Sequence, residues 1–461
     1  MPLGRDTHLL PSRHSPAGEM GPQLRTWVRW FVVGMVGAFA FVSYVERMNI
    51  AVAAAVMMPE LSLSGTQMGQ IFSSFLWGYA IFQIPAGRIG DVVGPRITLT
   101  LAALLWCITS MLSGFLPGTL VKGAASVILC LWILRFLLGA GEAATFPVGA
   151  RAVRNWTPLS ERGIGNSIMI AGASIAASVT SPLVSWLMTV VGWRASFYIT
   201  SLGALVVAMI WYFSVRDYPE QHPWVGASES DRRRRERGPS IVRVRPAAQL
   251  LKDRNVLLLA LSYTCEGYVL FIFVFWLYLY LIQVRGFTIL SGGFAASLPW
   301  LTAFACTPIG GWLCDRLSQK SGRIAAARSV IMIGYGVSGI LLFTAALAAG
   351  RNASLAALCL SIGGLYFAEP AFWATAVHIS GENVGASSGL MNMAGIMGGI
   401  VSTSLVPVLV QHFGWITALA SGAIVAMACT GAWIVMGRMG FGSSVPEYAA
   451  QSVGSETGSR A

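Results

Sequence analysis

The stretch Phe41-Val-Ser-Tyr-Val-Glu-Arg-Met-Asn-Ile50 places an acid and a base, Glu46 and Arg47, side by side inside the first long apolar segment of the chain. A charged side chain at the centre of a bilayer costs about 2.5–3.5 kcal/mol on insertion scales. Charges that are kept at this depth mark the path of a substrate or of a proton. If the segment crosses a membrane, the pair therefore indicates a substrate or proton pathway.

The composition indicates that most of the chain lies in a membrane. Of its 461 residues, 55% are hydrophobic and only 11% are charged, whereas a soluble domain carries about 25% charged residues. Apolar stretches long enough to cross about 30 Å of hydrocarbon recur along the chain. We predict an all-α membrane protein with twelve transmembrane helices, at residues 30–57, 67–87, 96–116, 125–149, 163–188, 195–214, 256–283, 293–314, 325–349, 354–379, 384–411 and 415–437.

The net charge of +12 is distributed as in a membrane protein and not as in a nucleic-acid-binding protein. With the N-terminus inside, 25 of the 31 Lys and Arg residues fall in inside loops and tails, and four fall outside (Lys122, Arg194, Arg285 and Arg351). This asymmetry follows the positive-inside rule. It predicts a multi-pass plasma-membrane protein (inner membrane in a bacterium) with both termini in the cytoplasm. The run Asp231-Arg-Arg-Arg-Arg-Glu-Arg237 is typical of a solvated cytoplasmic linker.

The two halves of the chain repeat each other. Gly87-Arg-Ile-Gly-Asp91 after the second span returns as Gly311-Trp-Leu-Cys-Asp315 after the eighth, and Gly192-Trp193 returns as Gly414-Trp415. Duplicated halves with a site between them near the bilayer midplane are typical of secondary transporters. We predict a tail, a six-helix bundle, a basic linker, a second six-helix bundle and a tail, at 1–29, 30–214, 215–255, 256–437 and 438–461.

The repeated Gly-x-x-x-Asp pattern predicts a cytoplasmic gate. A glycine lets two helix ends approach closely, while the aspartate caps a neighbouring helix or pairs with an arginine. The predicted gate residues are Gly87, Asp91, Arg96, Asp315 and Arg316.

The Gly-x-x-x-Asp loop resembles the signature between helices 2 and 3 of the major facilitator superfamily. Further motifs resemble its anion:cation symporter branch, which includes carriers of hexuronates, glucarate, galactonate and phthalate. The resemblance covers about residues 30–437 and implies the major facilitator fold, with two pseudo-symmetric six-helix bundles. The motifs are Tyr44-Val-Glu-Arg-Met-Asn49, Phe75-Leu-Trp-Gly-Tyr-Ala-Ile-Phe-Gln-Ile-Pro-Ala-Gly87, Arg135-Phe-Leu-Leu-Gly-Ala-Gly-Glu-Ala143, Asp217-Tyr-Pro-Glu-Gln-His-Pro223 and Ser388-Gly-Leu-Met-Asn392.

The resemblance implies roles for the charged residues of helices 1 and 4. Arg47 would hold the substrate carboxylate, Glu46 and Glu142 would couple protons, and Arg135 would modulate Glu142. Arg135 and Glu142 are seven residues apart, so they share one helix face at about 10 Å. The helix-1 acid is more often Asp in the family, and Glu46 is one methylene longer. The alternative is that these charges form structural ion pairs between helices 1 and 4.

Polar residues on other spans are predicted to line the same cavity. Tyr44, Tyr79 and Gln83 would line it if helices 1 and 2 pack as in the family, and Asn392 matches a family asparagine that hydrogen-bonds the substrate. Glu369 is unexpected, because related carriers tend to have a small polar residue there. A further acid would repel an anion unless it were protonated or bound a cation. We predict a substrate-binding or coupling role, with a partner for Glu266 or His378, or a backbone break at Pro370, as alternatives.

The expected function is transport without a cofactor or metal. The sequence contains neither a Gly-x-x-x-x-Gly-Lys-Ser/Thr nor a His-Glu-x-x-His motif, so it indicates no enzyme. We expect a monomeric carrier that imports a small organic anion, a sugar acid or similar carboxylate, by proton symport. The alternatives are an exporter or uniporter of an amphipathic or cationic compound, and a membrane sensor that does not transport. The choice between proton and sodium stays open at this stage.

Overall fold

The computed structural model describes residues 26–158, 161–225, 253–380, 384–439 and 441. Almost all of the two predicted tails and most of the predicted linker at 215–255 lie outside these residues. The described helices are α1 (Thr26–Glu60), α2 (Gly65–Val93), α3 (Pro95–Phe115), α4 (Ala124–Glu142), α5 (Thr145–Trp156), α6 (Arg162–Val191), α7 (Trp193–Ser214), α8 (Arg254–Phe275), α9 (Leu277–Gln283), α10 (Ile289–Ser321), α11 (Arg323–Leu347), α12 (Arg351–Ser380) and α13 (Val384–Arg438), with a 3₁₀ turn at Pro219–Gln221.

Each of the twelve predicted spans coincides with helix. The fourth predicted span covers α4 and part of α5, and the seventh covers α8 and α9. Helix α13 contains the last two spans, and its backbone breaks at Gly414, with φ of 80° and ψ of 173°. By length and hydropathy, ten described segments could cross a membrane; α2 is not among them, and the final segment holds both parts of α13.

The repeat predicted from the sequence is visible in how the helices begin. Ser64 opens α2 with a capping box, and Thr288, 224 residues later, opens α10 in the same way. The serine or threonine hydroxyl accepts from a backbone N–H of the first turn, while a side chain of that turn reaches back. This matched pair of caps was not predicted from the sequence.

Glycines with positive φ turn the chain at matching places in both halves. Gly94 (φ 96°) separates α2 from α3, and Gly322 (φ 83°) separates α10 from α11. Gly192 (φ 85°) and Gly414 (φ 80°) form a second matched pair. Residues with a Cβ rarely adopt this conformation, so these turns depend on glycine in both bundles.

Two glycines bring α2 and α4 into direct backbone contact. A Cβ added to Gly78 would overlap the carbonyl oxygen of Phe136, and one added to Gly139 would overlap that of Phe75. Small residues allow such close approach between membrane helices. The contact holds the α2 face that contains Tyr79 against the charged helix α4.

Apolar side chains cover much of the outer surface, as expected for a protein that spans a bilayer. Ile84 is 75% exposed, Val92 80% and Phe213 70%. In a soluble monomer, exposed apolar patches of this extent are rare. The chain is a multi-span integral membrane protein.

The two halves meet toward the end of the helices that lies next to the α1–α2 loop. Phe72 stacks on Phe275 at 4.7 Å between ring centroids, and the hydroxyl of Ser185 donates to Tyr278 at 3.2 Å. Gly69 lies directly against the backbone of Thr403. Among hydrogen bonds, ion pairs and ring contacts between described residues, those that join the halves all lie at this end. The halves are therefore closed together at the α1–α2 loop side.

Candidate functional site

Helices α1 and α4 bring four ionisable side chains into the interior of the first half. Glu46 and Glu142 have no exposed surface, Arg135 has 1% and Arg47 has 7%. Burial of such groups is unfavourable unless charges of opposite sign or hydrogen bonds compensate for it. The predicted charged residues of helices 1 and 4 thus form one cluster.

Arg47 and Glu142 form the direct ion pair of this cluster. The Nε and one terminal nitrogen of Arg47 donate to the same oxygen, Oε2 of Glu142, at 3.0 and 2.9 Å. The other oxygen, Oε1, is buried and has no hydrogen-bond partner among the described residues. The ion pair between helices 1 and 4 that the sequence left as an alternative is therefore present. It also shows that the Arg47 guanidinium can bind a carboxylate.

Aromatic rings enclose the guanidinium of Arg47. Its central carbon lies 4.4 Å from the ring centroid of Tyr44 and 5.1 Å from those of Phe75 and Tyr79. A cation over an aromatic face is attracted by the ring quadrupole, so these rings fix the position of the charge. Tyr44 and Tyr79 were predicted here. Phe75 was missed, although it lies one turn before Tyr79 on the same face of α2.

Arg135 and Glu46 lie close together without a direct bond between their charged groups. Arg135 donates to the backbone carbonyl of Glu46 at 3.1 Å. Two other guanidinium nitrogens of Arg135 and both carboxylate oxygens of Glu46 have no partner at hydrogen-bond distance among the described residues. The hydroxyls of Ser110 and Thr200 border that carboxylate. Glu46 is thus a buried acid with free capacity for a proton.

Asn49 anchors this part of α1 to α7. Its amide nitrogen donates to the hydroxyl of Thr200 at 3.0 Å, and its amide oxygen accepts from Ser196 at 3.2 Å. Asn49 belongs to one of the sequence motifs, but no role was predicted for it. Its bonds hold the helix that presents Glu46 and Arg47.

In the second half, Glu369 lies on α12 and accepts two hydrogen bonds. The hydroxyl of Tyr263 and the indole nitrogen of Trp373 both donate to its Oε1, at 2.6 Å each. Helix α12 continues through Pro370, so the backbone break that the sequence offered as an alternative is absent. Tyr263 and Trp373 were not predicted; the spacing of Glu369 and Trp373, one turn apart, was the available signal.

Glu266 is buried on α8, one turn from Tyr263, and close enough to Glu369 to interact electrostatically.

Gln83 and Asn392, also predicted to contact substrate, are half-buried, and neither hydrogen-bonds to another described residue. Among the described residues, no group of three His, Cys, Asp or Glu side chains is placed to hold a metal ion.

The predicted gate residues of the first half lie in a bonded network. Asp91 forms an ion pair with Arg151, and the backbone N–H of Arg96 donates to the carboxylate of Asp217 at 2.7 Å. Gly87 packs beside Pro147. The network joins α2, α3 and α5 to the chain that leaves α7.

The equivalent residues of the second half are not paired in this way. Asp315 and Arg316 are exposed, and Arg316 lies over the ring of Trp312 at 5.3 Å. Within the described part of the chain, Asp315 has no ion-pair partner. The structure thus brings together the first half of the predicted gate but not the second.

Comparison with known proteins identifies relatives across most of the chain. The Major Facilitator Superfamily model matches residues 36–403. A probable galactarate/D-glucarate transporter of Bacillus subtilis (strain 168) is 31% identical over 418 residues, which cover 87% of this chain and 88% of that protein. A probable sulfoacetate transporter of Cupriavidus necator is 29% identical, with 85% and 89% covered. A D-galactonate transporter of Escherichia coli O6:H1 is 28% identical, with 87% and 93% covered.

The solved structures that resemble the chain have the same fold. A bacterial homologue of the human lysosomal transporter Spinster, inward-facing and occupied, superposes with a TM-score of 0.71 at 15% identity, covering 89% of this chain and 97% of that one. The predictions of a major facilitator fold, of the resemblance to the anion:cation symporter branch, and of a transporter instead of an enzyme are confirmed.

Proposed function

The chain belongs to the Major Facilitator Superfamily, and from this premise we propose that it imports a small organic anion, a sugar acid or a similar carboxylate, together with a proton. The bond between Arg47 and Glu142 is the observation that carries the proposal. Arg47 already holds a carboxylate with two donors inside an aromatic enclosure. The carboxylate of a substrate would take the place of the Glu142 side chain.

The planar guanidinium suits this task. It presents several donors in a fixed fork and keeps its charge at physiological pH, while its hydrogen bonds to a carboxylate are charge-assisted. The relatives named as carriers of galactarate, glucarate, galactonate and sulfoacetate all take organic anions, which supports the choice of substrate class.

Charge balance supports coupling to a proton. The two acids and two bases of the first-half cluster sum to zero, so an anion that enters alone leaves one uncompensated buried charge. Such a charge is strongly unfavourable in a low-dielectric interior. A proton that binds Glu142 releases Arg47 for the anion and restores neutrality. Glu46, whose carboxylate has no hydrogen-bond partner among the described residues, offers a second protonation site.

The remaining predicted side chains would bind the rest of the substrate. Tyr44 lies on α1 with Arg47, Tyr79 and Gln83 lie on α2, and Asn392 lies on α13 in the other half. We assign them to hydrogen bonds with substrate hydroxyls. Asn392 closes on the ligand when the halves rock together, as in carriers built from repeats.

The orientation of the carrier follows from its charge distribution. We place both tails, 1–29 and 438–461, and the basic linker 215–255 in the cytoplasm of a plasma-membrane protein. The α1–α2 loop is then outside, where the halves are closed together, and the site opens inward. The carrier acts as a monomer, and the gate network of Asp91 and Arg96 rearranges when the inner side closes.

Thermal stabilisation of the purified protein tests the anchor. A bound ligand raises the melting temperature as its concentration exceeds the dissociation constant. Across sugar acids, aromatic carboxylates and neutral sugars, we expect a carboxylate to stabilise the wild type but not Arg47→Gln. Arg194→Gln, an arginine paired with Glu60 away from the site, is the matched control. Unchanged affinity and uptake in Arg47→Gln would show that the anchor is assigned wrongly.

A further inference from the structure

We propose that Glu369, with Glu266 behind it, forms a second subsite, which binds a cationic nitrogen on the same solute whose carboxylate Arg47 holds. The substrate would then be an amino acid or a similar compound with an anionic and a cationic end. This inference rests on the proposed function, because it assigns the opposite end of the same ligand.

The hydrogen bonds of Glu369 leave one oxygen for a ligand. Its Oε1 accepts from Tyr263 and from Trp373, an arrangement in which the carboxylate acts only as an acceptor. Its Oε2 accepts no hydrogen bond from a described residue, and this oxygen is not fully buried. That oxygen is therefore open to a solute, while the two donors hold the carboxylate in place.

The two halves differ in how their buried acids are balanced. In the first half, Glu46 and Glu142 face two arginines. In the second half, Glu266 and Glu369 lie within electrostatic range of each other, but the Lys, Arg and His residues of its described part lie in loops or within two turns of a helix end or of the break at Gly414. A buried pair of acids without a base is stabilised by a proton or by another positive charge that binds beside it.

The surroundings of Glu369 suit an organic cation. Tyr366, Glu369 and Trp373 are three or four residues apart and share one face of α12. Trp373 lies 6.4 Å from the ring of Tyr263, and Tyr366 lies 6.2 Å from Trp300. Aromatic rings next to a carboxylate bind ammonium groups, whereas a bare alkali ion needs a shell of oxygen atoms that these rings do not supply.

Two tyrosines, one from each half, lie within electrostatic range of both subsites. Tyr44 packs against Arg47 and is also within electrostatic range of Glu266 and Glu369. Tyr366, from the other half, lies within electrostatic range of both Arg47 and Glu369. A small solute with opposite charges at its two ends can therefore contact Arg47 and Glu369 together.

Matched ligands test the proposal on the purified full chain by thermal stabilisation. The probes are ω-amino acids of three to six carbons, the ω-hydroxy acids of equal length, and the amino alcohols that lack the carboxylate. We expect one ω-amino acid to bind the wild type at least tenfold more tightly than either partial analogue. Glu369→Gln should lose that preference, and Glu369→Asp, which keeps the charge, should retain it. Glu60→Gln, remote from the site, should behave as wild type.

The outcomes separate this inference from the proposed function. A wild type that prefers the hydroxy acid, with an unchanged order in Glu369→Gln, overturns the second subsite but leaves the Arg47 anchor in place. An ω-amino acid whose binding neither Arg47→Gln nor Glu369→Gln weakens overturns both. A panel in which no ω-amino acid stabilises the wild type, or stabilisation by sodium ions that Glu369→Gln abolishes, also overturns the subsite.

Discussion

Replacing Glu142 by glutamine should separate anion binding from proton coupling. In the wild type, Arg47 donates twice to one oxygen of Glu142, so an incoming carboxylate must displace this partner. The amide of Glu142→Gln has nearly the same shape but no charge. It therefore resembles the protonated acid at every pH, and Arg47 becomes available without a proton.

The size of the effect follows from the bond that is lost. A hydrogen bond to a charged group contributes about 1.5–3 kcal/mol, and we count the two donors as one interaction because they share an oxygen. The amide oxygen still accepts a weaker hydrogen bond from Arg47, so the substitution removes only part of this free energy, about 1.4 kcal/mol. Since each 1.4 kcal/mol is about tenfold in affinity, Glu142→Gln should bind the anion about tenfold more tightly in alkaline buffer.

The assay is a titration of the anion found in the stabilisation screen, repeated in acidic and alkaline buffer. Wild-type affinity should fall as the pH rises, because the ionised Glu142 competes for Arg47, while the affinity of the variant should stay level. In proteoliposomes the variant should retain counterflow but lose accumulation driven by a pH gradient.

The control is Glu60→Gln, which removes an acid paired with Arg194 at the end of α1 and should leave both properties unchanged. Weaker binding by Glu142→Gln that still depends on pH, or intact gradient-driven accumulation, would refute the competition between Glu142 and the substrate.

Two further predictions concern the scaffold. Gly139→Ala should lower the melting temperature, because its Cβ would overlap the carbonyl oxygen of Phe75 and overpacking costs about 1–3 kcal/mol. The control Gly203→Ala, whose Cβ would enter open space, should leave the melting temperature unchanged. Equal melting temperatures of the two variants would contradict the close contact at Gly139. Asp217→Ala should lower the stability by about 1 kcal/mol, a usual loss for a helix cap, because the backbone N–H of Arg96 loses the Asp217 carboxylate as its acceptor. Unchanged melting of Asp217→Ala would show that this bond contributes nothing.

Much of the fold could be predicted from the sequence because the membrane imposes a local requirement. A span needs about 20 apolar residues, and an embedded charge is conspicuous wherever it occurs. Glu46, Arg47, Arg135 and Glu142 were found in this way. The repeat was found because the same turn chemistry recurs in both halves, as at Gly192 and Gly414.

The bonding within the site could not be predicted in the same way. Glu46 and Arg47 are neighbours in the chain, yet Arg47 pairs with Glu142, and Arg135 reaches the carbonyl of Glu46. Adjacent residues on a helix point about 100° apart, so the partner of each charge depends on the neighbouring helices. The bonds from Tyr263 and Trp373 to Glu369 likewise depend on the packing of α8 against α12.

The sequence by itself determined which segments cross the membrane, that they form two related halves, and which charged residues are kept at bilayer depth. These properties depend on hydropathy and spacing along one helix. Only the tertiary structure decided which groups these charges contact, such as Glu142 for Arg47 and the donors Tyr263 and Trp373 for Glu369. That difference arises because electrostatic compensation acts across helices, over distances that the order of residues does not encode.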